Sequence, residues 1–302
     1  MLHVTNGRCA ADLIREAGLP GTVLAWDDVL HEGPVPAGLD TGALAGVRAA
    51  FLASCDAGEV EAIRGSLMAR DATLAAADEV VLWFEHDLYD QLQLIQVLAQ
   101  LPPRAQVTTV LASDYLGHQA PATLAAWFTR RAPLEDQQVR LAVEAWDAFR
   151  AADPGPLAAL AARLGGDGPL PHLGAALRRH LRQFPSTRDG LSRTESQALT
   201  LLADARRPRG ELFRRVNALE DPMFMGDLTF FTHVETLAAG PSPLIEATEA
   251  GYALTGTGAR VLAGEADRVA ETGIDRWLGG VHVCGPGPVW RWDEARATLV
   301  RQ

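Results

Sequence analysis

The chain has 302 residues, of which 48% are hydrophobic and 22% charged, and its formal net charge is −11. That balance is a globular one, with material for a sizeable core in one large or two ordinary domains. No apolar run reaches the ~20 residues of a membrane span, and the absence of lysine, with all 27 basic residues arginine, excludes a Walker A loop, a pyridoxal Schiff base and a lysine general base.

The charge is uneven. Residues 1–150 hold 10 Arg against 20 Asp and Glu, residues 151–185 hold 4 against 2, and residues 186–302 hold 13 against 16. An acidic first half argues against broad phosphate-backbone binding there. It is compatible with a small ligand or with a divalent metal held by carboxylates. Cys9, Cys55 and Cys284 are far apart and show no C-x-x-C spacing, so neither a disulfide framework nor a zinc ribbon is expected. The opening Met-Leu-His-Val-Thr-Asn-Gly lacks the basic start and apolar stretch of a signal peptide, and the expected location is the cytoplasm.

In chain order, residues 2–5 read as a short strand, Asn6-Gly7 as a turn and residues 8–17 as a helix by apolar spacing. Thr22 to Trp26 is a second strand. Residues 40–76 are Ala-rich and helical in pattern, with breaks expected near Gly58 and Asp71. Glu79 to Phe84 is a third strand, a continuous apolar run of the kind found where both faces of a sheet are covered. Asp87 to Leu101 is a helix closed by Pro102-Pro103, Gln106 to Ala112 a fourth strand, and residues 121–131 and 135–151 are helices. This alternation over residues 1–152 predicts an α/β domain with a doubly wound parallel sheet, Rossmann-like or flavodoxin-like. Ligands of such sheets bind beyond the carboxyl ends of the strands.

Residues 153–189 read as a connector, Pro- and Gly-rich and then helical over 172–183. At Ser192 and Glu195 a capping box opens an apolar-periodic run to Leu202. Short helices follow at 209–219 and 227–239, then two strand-like stretches from Pro243 and from Tyr252, then a helix at 257–264. Three helices followed by a hairpin is the order of a winged helix. Residues 190–302 are therefore expected to form a winged-helix-like domain with a Trp-rich tail.

Four strand ends carry polar groups. Glu85, His86 and Asp87 end the third strand, with Asp90 and Gln91 in the helix beyond. Asp87 and Asp90 also suit a helix start, as cap and first-turn acid; Glu85 and His86 are not needed for that. Asn6-Gly7 precedes a helix N-terminus whose N–H groups can hold an anion. His3 is either a core histidine or a site residue. The loop Trp26 to Pro36 holds Asp27, Asp28, His31 and Glu32 ahead of a stiff Gly33-Pro34, as a site loop or as a solvated acidic connector. Ser113, Asp114 and Tyr115 follow the fourth strand, as ligand contacts or as a plain capping loop.

Carboxylates and imidazoles from these loops can ligate a divalent metal or act as general acid and base. The expected catalytic group is His86, Glu85, Asp87 and Glu32. The expected ligand contacts are His3, Asn6, Gly7, Asp28, His31, Asp90, Gln91, Ser113 and Arg291. In the tail, Arg276 or Arg291 could pair with a carboxylate or grip a phosphate. The tail either seals the two domains together or sends Arg291 to the N-terminal site.

The stretches H-V-T-N-G at 3–7, W-D-D-V-L-H-E-G-P-V at 26–35 and L-W-F-E-H-D-L-Y-D-Q-L-Q-L at 82–94 resemble an uncharacterised bacterial family catalogued as a domain of unknown function. G-L-S-R-T-E at 190–195, F-M-G-D at 224–227, I-D-R-W-L-G-G-V-H at 274–282 and W-R-W-D at 290–293 look like its usual companion domain. The resemblance implies a family and no activity. Its hallmark positions are matched at His3, Asn6, Gly7, Glu32, Gly33, Pro34, Glu85, His86, Asp87, Asp90 and Gln91.

The expected function is that of an enzyme acting on a phosphorylated or nucleotide-like small molecule, a metal-assisted hydrolysis or transfer on an anionic ligand. The alternative is a ligand-sensing transcriptional regulator, or a protein-interaction module that dimerises through the winged helix. The third helix of that unit carries no arginine, which argues against nucleic acid as the partner. No membrane partner is expected.

Overall fold

The structure, a computed structural model, describes residues 1–285 and 288–302. The first half runs β1 (Leu2–Asn6), α1 (Arg8–Glu16), β2 (Thr22–Trp26), β3 (Gly33–Pro34), α2 (Thr41–Ser54), α3 (Val60–Ala75), β4 (Glu79–Phe84), α4 (Leu88–Gln100), β5 (Gln106–Leu111), α5 (Pro121–Thr129), β6 (Ala132–Pro133) and α6 (Asp136–Arg150). Its sheet has the order β2-β1-β4-β5-β6, parallel except for the antiparallel edge strand β6. The chain steps from β1 outward to β2, then returns to build β4 and β5 on the other side. The reversal therefore lies between β1 and β4.

Alternation along β4 shows why its run is apolar throughout. Val81 and Trp83 pack with Ala10 and Ile14 of α1 and Leu124 of α5. Val80, Leu82 and Phe84 point the other way, into the main core with α4 and α6. Helices cover both faces, and each such buried side chain contributes about 1.5–3 kcal/mol. Helix α4 is buried along almost its whole length, so its polar residues need partners within the protein. Gln91 donates to the Glu85 carbonyl, Gln93 to the Asp28 carbonyl, and Gln96 accepts from the Trp26 indole.

Two sequence expectations are corrected here. Helix α3 runs through Asp71 without a break, because Arg70 holds that carboxylate at 2.9 Å and keeps it from competing for the backbone. The Asp-Pro-Gly-Pro stretch starts a helix, α7 (Gly155–Arg163), with Pro156 in its first turn, where a missing N–H costs little.

The chain continues with α8 (Leu173–Leu181), α9 (Arg193–Leu202), α10 (Arg209–Asn217), α11 (Asp227–Ala238), the hairpin β7 (Ile245–Thr248) and β8 (Gly251–Leu254), α12 (Gly256–Ala263) and α13 (Arg268–Thr272). The capping box of α9 is present in both directions. The tail forms β9 (Asp275–Gly279), β10 (Val281–Cys284), β11 (Trp290–Asp293) and β12 (Thr298–Arg301). Strand β9 returns to the first half and pairs in parallel with β3, Gly33 against Leu278 and Pro34 against Gly279. The main hydrophobic core draws on both halves, from Leu2 to Leu299. No helix among the described residues is long and apolar enough to cross a membrane.

Candidate functional site

Parallel strands end on the same edge of a sheet, so the ends of β1 and β4 sit side by side. Asn6 closes β1, and its amide donates to Asp90 Oδ2 at 2.5 Å. Asp90 Oδ1 accepts from the Glu85 backbone N–H at 2.6 Å. Asp87 caps α4 by accepting from the Asp90 N–H at 3.0 Å. Glu85 Oε1 accepts from the Leu116 N–H at 2.6 Å, which ties in the loop after β5. Carboxylate oxygens of Glu85, Asp87 and Asp90 lie within 4.8 Å of one another, and all three residues are buried.

Burial and mutual repulsion set their protonation. Burial pushes the Asp87 carboxyl up to about 7, with the Glu85 charge adding to the rise. Burial, followed by the charges of Asp87 and Glu85, holds Asp90 well above the ordinary aspartate range. Burial also raises Glu85, partly offset by the Leu116 N–H and the Asn6 amide. Such a group is relieved by protons or by a cation, and its all-oxygen donors suit a hard divalent ion.

Gly7 follows Asn6 with φ +38° and stands at the N-cap of α1 without a side-chain cap. The first N–H groups of α1 thus open on the same edge. His86 is half-buried; its ring packs against Tyr115 at 5.1 Å and His172 at 5.9 Å between centroids. Burial lowers its pKa, partly offset by Asp114 and Asp221, so the ring is neutral at pH 7. Ser113 is exposed after β5.

The residues of the loop after β2 gather in a second place. Asp28 and Arg48 form a buried ion pair at 2.7 Å. Arg48 also donates to the carbonyls of Val29 and Glu32, fixing the loop from inside. Glu32 accepts from Arg276 of β9 at 2.5 Å and from His233 of α11 at 2.9 Å. Burial alone would raise its carboxyl, but the charges and hydrogen bonds of Arg276 and His233 hold it well below the usual carboxylate range. His31 is buried edge-on to Phe224 and Tyr89, and neither ring nitrogen has a hydrogen-bond partner among the described residues. Burial, countered in part by Glu32, lowers its pKa to about 3.

The structure thus brings Asn6, Gly7, Glu85, Asp87, Asp90 and Gln91 together, and sends Asp28, His31 and Glu32 elsewhere. His3 is in the core: its ring bonds the Pro20 carbonyl at 3.0 Å and the Trp83 indole N–H at 3.0 Å. Arg291 is corrected outright. Its guanidinium is held by both oxygens of Asp267 and by the Ser186 carbonyl, within the C-terminal half. Of the two tail arginines, Arg276 is the one that crosses to the first half. Nothing local marks Arg48 in the sequence, although four carboxyl and imidazole groups crowded into one loop call for a buried counter-charge. His233 gave no signal, because only the fold brings it to Glu32.

A scan against models of protein families finds no match, and a search of curated proteins finds no relative.

Proposed function

We propose that the protein is an enzyme acting on a phosphorylated small molecule at the junction of β1 and β4, assisted by a divalent cation on Glu85, Asp87 and Asp90. The supporting observation is the Asn6–Asp90 hydrogen bond, which joins the uncapped N-terminus of α1 to a buried carboxylate group at the reversal of the sheet. A doubly wound sheet binds its ligands at that point. Glu85, Asp87 and Asp90 would hold the cation, which would offset their charge and supply Lewis-acid polarisation of a phosphoryl oxygen. The N–H groups after Gly7 take up further phosphate charge. His86, neutral at pH 7, takes the proton from a water that attacks phosphorus; the P–O ester bond breaks, and the departing alkoxide takes a proton from solvent. The resemblance to the domain-of-unknown-function family is part of this proposal, because its matched positions include Asn6, Gly7, Glu85, His86, Asp87, Asp90 and Gln91.

A second reading, as a regulator, draws on α9, α10, α11 and the β7–β8 hairpin, with Arg207 and Tyr252 exchanging backbone hydrogen bonds beside it. That arrangement supports a winged-helix-like unit. Its third helix faces the first half, however, where Leu228, Thr232 and His233 line a cavity with Phe51 and Leu52. We therefore favour the enzyme.

The test is turnover of a panel of phosphomonoesters with Mg²⁺ or Mn²⁺. His86→Ala and Asp87→Asn should each abolish turnover while His86→Ala melts within a few degrees of the parent. Metal-independent turnover, or full activity in both variants, would refute the assignment.

A further inference from the structure

A cavity of about 770 Å³ lies between the two halves, away from the carboxylates at the sheet edge. It is of the size that takes a small organic ligand. Its walls are mainly apolar, from Val29, Phe51, Leu228, Ile274 and Trp277. Its polar floor holds Glu32, His233, Arg276, Glu195 and Arg268.

The floor charges are already matched. Arg276 is fully engaged: Nε and Nη2 go to Glu32, Nη2 also meets His233, and Nη1 donates to the Gln183 carbonyl. Glu195 accepts from the Ser192 N–H and lies 3.3 Å from Arg268 Nε. Arg268, 8% exposed, is held in the same way: its Nη1 donates to the Gly273 carbonyl and its Nε, closed to solvent, lies against Glu195. An anion entering here would meet three carboxylates, those of Glu32, Glu195 and Asp275, and two arginines already paired with the first two.

We propose that this cavity binds an uncharged, largely apolar small molecule. The apolar walls take its body, and the matched floor rejects phosphates and carboxylates. The site is independent of the phosphoester reading: its occupant differs in charge, and its lining shares no residue with the Glu85 group.

The probe is Nile red, a neutral dye with a polarity-sensitive emission. Titration should give saturable, blue-shifted emission at one dye per chain. Thr232 and Leu228 are exposed positions of α11 on the cavity wall, so Thr232→Trp and Leu228→Trp should fold normally and fill the space. Each should weaken dye binding by about tenfold or more, a loss of roughly 1.4 kcal/mol. Leu219→Trp, exposed and outside the lining, is the control and should change nothing. Millimolar inorganic phosphate should leave the dye bound. Unsaturable binding, or binding unchanged in both Trp variants, would overturn the site. Displacement by phosphate would overturn the uncharged ligand. Dye binding that follows dimerisation in sedimentation would assign the cavity to a second copy and overturn the proposal.

Discussion

Glu32 and Arg276 lie 244 residues apart in the chain, yet both oxygens of the carboxylate meet the guanidinium. This pair and the β3–β9 ladder beside it join the tail to the first half. Both partners are largely buried, so removing one strands the other's charge. Glu32→Ala should therefore lose about 3–5 kcal/mol of stability. Glu32→Ala combined with Arg276→Met should lose less than the two single changes summed, as urea unfolding of all four proteins would measure. The sign of the pH effect follows from the depressed carboxyl. Its contribution is present above an unfolded glutamate's pKa and disappears as the pH falls towards its lower folded value.

The carboxylates at the sheet edge give the opposite slope. Asp87 is raised from an ordinary aspartate's 3.8 to about 7. A raised folded value stabilises fully below the unfolded one, and that stability is lost as the pH rises through the folded one. The metal-free protein should thus weaken between about pH 4 and pH 7, by an amount on the order of 4 kcal/mol at most. Mg²⁺ or Mn²⁺ should restore stability, more at pH 8 than at pH 5, because a cation needs the ionised oxygens. Melting in EDTA and in metal across that range reads both effects, and Asp87→Asn should flatten them. Equal melting with and without metal at pH 8 would remove the cation from the account.

How much of this could be read in the sequence depends on the range of the interaction. The Val-Val-Leu-Trp-Phe run declares a strand covered on both faces, and strand alternation with helices places Asn6 and Glu85 on one edge. Those are local patterns joined by one topological rule. The Asp87 cap and the Ser192 box are local too. The group around Glu32 is not. It depends on β9 pairing with two residues, Gly33 and Pro34, a ladder too short to leave a periodic signature. Arg291 and Arg276 look equivalent in a Trp-rich tail, and only their positions on separate strands divide their roles. Asp28 and Glu32 read as site residues because charge in a stiff loop looks available, whereas Arg48, Arg276 and His233 already neutralise it.

Gly33 tests the fit of that loop. It has φ +75°, and a Cβ there would lie 2.4 Å from the Phe51 ring. Gly33→Ala should cost more than about 1 kcal/mol from the backbone alone, with overpacking adding roughly 1–3 kcal/mol. Phe51→Ala in the same chain should recover the overpacking part and not the backbone part. Denaturation midpoints of the two single variants and the double variant separate the terms. Full recovery would mean that the positive φ carries no strain.

The Arg48–Asp28 pair sets the stability of the same loop from below. Both side chains are 1% exposed, and Arg48 reaches two loop carbonyls besides the carboxylate. Arg48→Met keeps the aliphatic stem but leaves the buried Asp28 carboxyl without its partner. The expected cost is about 3–5 kcal/mol, enough to unfold a marginal protein at 37 °C. Arg48→Met with Asp28→Asn removes the stranded carboxyl and should recover part of the loss, though the loop carbonyls stay unpaired. Because the loop carries Glu32 to Arg276, Arg48→Met should also loosen the tail. Hydrogen exchange of β9 amides, read against those of β4, is the measurement. Faster exchange in β9 with β4 unchanged is expected, and uniform acceleration across both strands would mean that Arg48 serves only the core.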